Sequence, residues 1–263
     1  MVRITTSARG FGHNARPNMV RINVRLRPDS ARCVFGILLT VWGVAGLAVG
    51  SVRAEEPAKA HPLSAPEVVS AVQAFYDQTK SVEATFFQTY YNRLYDKYDR
   101  SRGSVKFEKP GKMRWDYGAP NGKVIVSDGK RLQIYEPGED KEPGQVFERD
   151  ITDSELPQAL AFLTGTGKLA DDFTFRLIDA AAQGFAGGYV LELLPKKASP
   201  HYERILFYVD GQSQRTGLVH RVLIVDSAGN RNRIDFKSPR FNRALDAKTF
   251  AWQAPKNARK VQP

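Results

Sequence analysis

Gly103-Ser-Val-Lys-Phe-Glu-Lys-Pro-Gly-Lys-Met-Arg-Trp-Asp-Tyr117 contains two alternating apolar and polar runs separated by a turn signal. Val105 and Phe107 alternate with Lys106 and Glu108, and Met113, Trp115 and Tyr117 alternate with Arg114 and Asp116. Successive side chains of a strand point to opposite faces, so a period of two predicts two half-buried strands with one apolar face. Between them, Lys109-Pro-Gly111 supplies a residue with fixed φ and then one that tolerates positive φ, which is what a tight reversal needs. The stretch therefore reads as a β-hairpin, and the apolar face of that hairpin must be covered by something else.

The pattern repeats outward. Val82, Ala84 and Phe86 alternate with Glu83, Thr85 and Phe87, and Leu132 and Ile134 flank Gln133. Further apolar runs cover 189–194, 205–209, 218–225 and 231–236. Turn signals punctuate them at Ser127-Asp-Gly129, Pro137-Gly138, Asp210-Gly211 and Ala228-Gly229, residue types that suit turn geometry. Short strands with regular turns predict one antiparallel meander of about ten strands. Two helices stand out. The first starts at Ser64 or Pro66 and places Val68, Val69, Val72, Phe75 and Tyr76 on one side; the second runs from a cap at Asp153 or Ser154, with Pro157 in its first turn, through Leu156, Leu160, Phe162 and Leu163 to Gly165. A sheet with one apolar face needs those helices as its cover. The expected class is mainly β (α+β), a single curved sheet with a helical lid.

The chain has 263 residues, with 39 Lys+Arg against 28 Asp+Glu and a net charge of +11. Eight arginines (Arg3, Arg9, Arg16, Arg21, Arg25, Arg27, Arg32, Arg53) and one acid, Asp29, fall in residues 1–54, which leaves 31 bases and 27 acids in the rest. The excess is terminal, and spacing along the chain shows no dense basic stripe elsewhere, so a nucleic-acid partner is not expected. After the arginines come 17 uncharged residues, Cys33–Val49, and then Gly-Ser-Val-Arg-Ala54. A positive region, an apolar region and small residues before a cut are the order of a secretory signal. Residues 1–54 are expected to be that signal, with Met19 as an alternative start, 55–65 a flexible leader, and 66–263 one domain in the periplasm. Cys33 is the single cysteine. It precedes the apolar run, so neither lipidation nor a disulfide is expected of the exported part.

Residues that could carry out a reaction do not assemble in the sequence. Thr164-Gly-Thr-Gly-Lys168 lacks the earlier glycine and the following Ser or Thr of a phosphate loop and reads as a helix terminus. His61, His201 and His220 lack partners at metal-ligand spacing, and no Gly-x-Ser-x-Gly elbow is present. Asp116 and Asp128 are expected to bond local backbone rather than to form a carboxylate pair. No catalytic residue, metal or cofactor is expected.

Val82-Glu-Ala-Thr-Phe-Phe-Gln88, the opening hairpin, Val124-Ile-Val-Ser-Asp-Gly-Lys-Arg-Leu-Gln-Ile-Tyr-Glu-Pro137, the helix at Pro157 to Gly165 and Thr249-Phe-Ala-Trp-Gln-Ala-Pro255 together resemble the LolA family of periplasmic lipoprotein carriers. The resemblance covers about residues 66–257. It implies an unclosed β-barrel whose helical lid covers an apolar cavity for lipoprotein acyl chains. It also implies a non-catalytic monomer that receives acylated lipoproteins from an inner-membrane ABC transporter and passes them to an outer-membrane acceptor. An alternative with the same fold is an exported lipid- or lipoprotein-sensing module. The resemblance, with strand parity, makes Ala84, Phe86, Val105, Phe107, Met113, Trp115 and Tyr117 the expected lining of the concave face. Leu156, Leu160 and Leu163, with Val69, Val72 and Phe75, are the expected underside of the lid. In the family an arginine before the strand-end proline faces inward and hydrogen-bonds the lid. Here Lys109 holds that place, in phase with Val105 and Phe107, and is the expected latch, without the planar fork of a guanidinium.

Overall fold

The computed structural model describes residues 62–139, 142–150, 167–212 and 215–261. The export signal expected over 1–54, most of the leader, and the second helix with Leu156, Leu160 and Leu163 lie outside the described residues. Helix α1 is Ala65–Asp77, with Ser64 at its N-cap. Ser64 donates from its backbone N–H and its hydroxyl to the Glu67 carboxylate, at 2.7 and 2.6 Å, which holds the entering chain against the first turn. Val68, Val69, Val72 and Tyr76 are buried, a spacing that confines burial to one helix face. Before the helix, the Leu63 N–H donates to the Tyr189 hydroxyl at 3.1 Å, so the end of the leader is tied to the sheet.

Twelve strands follow among the described residues: β1 Ser81–Asn92, β2 Lys97–Glu108, β3 Lys112–Tyr117, β4 Val124–Asp128, β5 Arg131–Glu136, β6 Gln145–Asp150, β7 Phe173–Ile178, β8 Tyr189–Pro195, β9 Arg204–Val209, β10 Val219–Val225, β11 Arg231–Phe241 and β12 Arg259–Val261. A short helix, α2 (Leu169–Asp172), precedes β7, and a 3-10 turn, Ala247–Thr249, precedes β12. The strands form one sheet in the order β12-β6-β5-β4-β3-β2-β1-β11-β10-β9-β8-β7. Its two end strands do not pair among the described residues, so the barrel is unclosed.

The order differs from a single consecutive meander. The consecutive strands β1–β6 and β7–β11 are joined by antiparallel pairing of β1 with β11, with Phe86 opposite Phe236. The first strand is consequently interior to the sheet and the chain crosses from β6 near one edge to β7 at the other. Four strands escape the apolar patterning quoted above as strand evidence: β4, β6, β7 and β12. Strand β12 adds in parallel to β6, with Lys260 opposite Val146, and shields a backbone edge that would otherwise invite another chain.

Residues Ala84, Val105, Trp115, Ile125, Ile134 and Phe147 stand opposite one another across six strands, and their shared parity defines the concave face. On the other half, Phe236, Ile234, Val222, Phe207 and Leu191 continue it. All of these except Phe147 belong to, or pack against, one apolar cluster that includes the buried face of α1. The convex face is covered in part by the C-terminal segment: the Arg114 guanidinium donates to the Thr249 carbonyl at 2.9 Å, and Trp252 lies against Tyr135 with ring centroids 5.6 Å apart.

Candidate functional site: the concave apolar face

The sheet brings the seven strand residues expected to line the site onto one surface. Ala84, Phe86, Val105, Phe107, Met113 and Trp115 are all buried, and Tyr117 is half-buried. The aromatic residues form a connected group. Phe86 meets Trp115 and Tyr117 edge-on, each at 4.9 Å between centroids, and Phe107 meets Trp115 at 5.7 Å. Space for the Phe86 ring exists because β2 carries Gly103 directly opposite it. A Cβ at that position would lie 2.8 Å from the ring and 2.0 Å from the Asp116 carbonyl oxygen. Burial pushes the Tyr117 phenol up to about 12, so it stays neutral and can lie against apolar groups.

The face is unevenly filled. Where α1 crosses it, the space among Tyr76, Val82, Ala84, Phe107 and Phe236 is about 10 Å³, close to the volume of one water probe. Toward β4–β6, Ile125, Ile134 and Phe147 are only half-buried, and Leu132, Ile134, Phe147, Glu148 and Arg149 line a cavity of about 170 Å³. Ligand pockets commonly measure roughly 300–1,000 Å³, so neither of these spaces would take a long hydrocarbon chain without widening. Larger clefts, about 360 and 270 Å³, lie on the convex side and are lined by polar and charged residues such as Asp128 and Arg131, or Asp210, His220 and Arg221. Those groups suit water better than a hydrocarbon chain.

Lys109 reaches across to α1 rather than along its own strand. Its Nζ donates to the Tyr76 carbonyl oxygen at 2.5 Å, a last-turn carbonyl that also accepts from the Thr79 N–H at 3.0 Å. A cation there also faces the negative end of the helix dipole. Burial lowers the Lys109 pKa from its ordinary value, and the nearby Asp77 carboxylate opposes that shift. The expected lid residues Val69 and Val72 are buried in the same cluster, and Phe75 meets Phe241 edge-on at 5.1 Å.

Apart from Glu148 and Arg149 beside the 170 Å³ cavity, the titratable groups that could suggest chemistry lie off the apolar face. Asp128 accepts from the Lys130 and Arg131 N–H groups, each at 2.8 Å, and those bonds outweigh partial burial to hold its carboxyl below the ordinary range. Asp116 binds the Arg114 guanidinium. The two carboxylates lie four residue steps apart along β3, about 13 Å, too far to share a proton. His220 pairs with Asp210 at 2.7 Å on the convex side. Among the described residues no three His, Cys, Asp or Glu side chains come together as a metal site would require.

The family model described as outer membrane lipoprotein carrier protein LolA matches residues 77–253. The outer-membrane lipoprotein carrier protein of Chromobacterium violaceum is 32% identical, over 74% of this chain and 88% of that protein. The corresponding carrier of Pseudomonas entomophila is 26% identical, over 83% and 96%. Among solved structures, a LolA superfamily protein from Nitrosomonas europaea aligns with a TM-score of 0.40 and 15% identity, over 72% of this chain and 97% of that one. With a family match over two thirds of its length and such relatives, the chain belongs to the LolA family of outer membrane lipoprotein carriers.

Proposed function

We propose that this protein is a periplasmic carrier that shields the acyl chains of lipoproteins on its concave face and shuttles them from an inner-membrane ABC transporter to the outer membrane. The observation that carries this reading is the continuous aromatic and aliphatic surface built by Ala84, Phe86, Val105, Phe107, Met113 and Trp115, which has no charged member. Its carrier relatives support the same reading by name. Residues 1–54 serve as the export signal, 55–65 as a leader and 66–263 as one domain.

The energetics set what such a carrier must do. Burial is worth about 0.8 kcal/mol per methylene, so a ~16-carbon chain has roughly 12 kcal/mol of preference for leaving water. Binding alone must therefore approach the affinity of a membrane, while release must remain possible. A face that widens to admit the chain meets both needs, because part of the binding free energy goes into separating α1 from the sheet. Lys109 is the latch of this arrangement, holding the end of α1 in the empty state. Leu156, Leu160 and Leu163, which lie outside the described residues, serve in this reading as acyl-chain contacts on the underside of the lid. The work is binding and release, with no bond made or broken.

The test is native mass spectrometry of the protein recovered from the periplasm, wild type against Phe86→Arg. The expected result is co-purifying acylated protein or lipid on the wild type and its loss in the variant. A bare protein mass for the wild type, even after incubation with lipoprotein-loaded membranes, would reduce the concave face to a structural core.

A further inference from the structure

The β1–β2 hairpin extends well past β3. The five pairs from Asn92 and Lys97 to Gln88 and Ser101 have no β3 residue beside them, about 17 Å of β2 edge at strand rise, while β11 accompanies β1 on the other side as far as Tyr91. Its tip exposes Leu94 and Tyr95, at 82% and 74%, although large apolar side chains gain by being covered. Behind the tip, on the convex side, Tyr91 and Tyr98 pair across the strands with centroids 4.7 Å apart. Arg231 lies over the Tyr91 ring at 4.8 Å and Arg100 over Tyr98 at 5.7 Å. Arg102 shares that parity and stands opposite Phe87, itself 45% exposed. Arg100, Arg102 and Arg231 are exposed and make no ion pair among the described residues. Pairing across three strands thus builds a basic, aromatic surface ending in an apolar tip.

We propose that this hairpin docks the protein onto a lipid bilayer bearing anionic headgroups, with Leu94 and Tyr95 entering the headgroup boundary and Arg100, Arg102 and Arg231 against the phosphates. The charge is complementary to such a surface, and each arginine held near it adds attraction that falls away with salt. Tyrosine and leucine together suit the boundary between headgroups and acyl chains. A single-stranded nucleic acid is a poorer fit, because the tyrosine faces it would stack on are occupied by each other and by guanidinium groups. The site is separate from the concave face, so it does not depend on the cargo assignment.

The test is co-sedimentation of soluble protein from the cell envelope with vesicles free of lipoprotein, of phosphatidylcholine alone or mixed with phosphatidylglycerol. Wild type is expected to bind the anionic vesicles, more weakly as salt rises, and to bind the neutral ones poorly. Arg100→Gln with Arg102→Gln should weaken binding about fivefold per arginine, and Leu94→Ser with Tyr95→Ser about tenfold or more. These side chains are exposed, so thermal midpoints should stay at the wild-type value and exclude misfolding as the cause. Binding that ignores lipid charge, or that both double variants retain, overturns the proposal. So does an absence of vesicle binding combined with loss of transfer to a purified acceptor protein in the variants, which would make the hairpin a protein-docking surface.

Discussion

Lys109 ties two observations together: it shares strand parity with Val105 and Phe107, and its Nζ donates to the Tyr76 carbonyl oxygen in the last turn of α1. The direction of the side chain is legible in the sequence because strand parity fixes it. The partner is not, because Tyr76 is 33 positions away and a backbone carbonyl leaves no mark in the sequence. A hydrogen bond from a charged donor contributes about 1.5–3 kcal/mol when well desolvated and less when partly wet, so Lys109→Met should cost about 1 kcal/mol. The loss should be local. Amide hydrogen exchange at Gln78 and Thr79, whose N–H groups close the helix onto Ala74 and Tyr76, should speed up several-fold, and Lys109→Arg should restore part of the protection. Wild-type exchange at both amides in Lys109→Met would remove Lys109 from any role in holding α1.

At the scale of elements, burial explains legibility only in part, since β4, an interior strand with Val126 and Ser127 buried, escaped as the charged edge strands did. The runs around Phe86, Phe107 and Trp115 announce themselves by alternation. The edge pair β6 and β12 carries Gln145, Glu148, Arg149, Asp150, Arg259 and Lys260, because an edge strand has water on one side and gains by being charged. Neighbour relations across β1 and β11 were equally invisible, and with them the arginine surface, since Arg231 lies more than a hundred positions from Arg100 and Arg102 in sequence. The pairing of β10 with β11 creates a pH-sensitive element. Asp235 on β11 is buried to 9% exposure and accepts from Arg221 of β10 at 2.7 Å and from Arg233 at 2.6 Å. Burial alone would raise its pKa, but the two guanidinium groups outweigh it and hold the carboxyl below the ordinary value of 3.8. A depressed carboxyl binds its proton less readily when folded, so its contribution is complete above about pH 4 and is lost as pH falls through the folded value. Asp235→Asn should therefore be about 1–2 kcal/mol less stable at neutral pH, after allowing for the exposed Arg233. Its stability should also fall less steeply than wild type below pH 4. Parallel acid limbs in urea unfolding would refute the assignment.

Over the whole molecule, the apolar face divides into a filled half and an open half. Leu191, Leu193, Ile205, Phe207 and Val222 of β8–β10 are fully buried, whereas Ile125, Ile134 and Phe147 of β4–β6 remain half-buried beside a 170 Å³ cavity. Where the sequence shows apolar parity, as at Leu132 and Ile134 of β5, it does not show this difference, because alternation records which side a residue faces and not what covers it. Local opening costs least where few apolar contacts are lost. In the empty protein, the amides of β4–β6 should therefore exchange hydrogen faster than those of β8–β10. A carrier adds a second expectation. Acylated cargo that binds only the folded state stabilises it by mass action, and the added protection should fall on β1–β6, where the aromatic face must accept the chain. Equal protection across the sheet in the empty protein would contradict the division into halves. Protection gained uniformly, or chiefly in β8–β10, would put the acyl chains somewhere other than the face that carries Phe86, Trp115 and Tyr117.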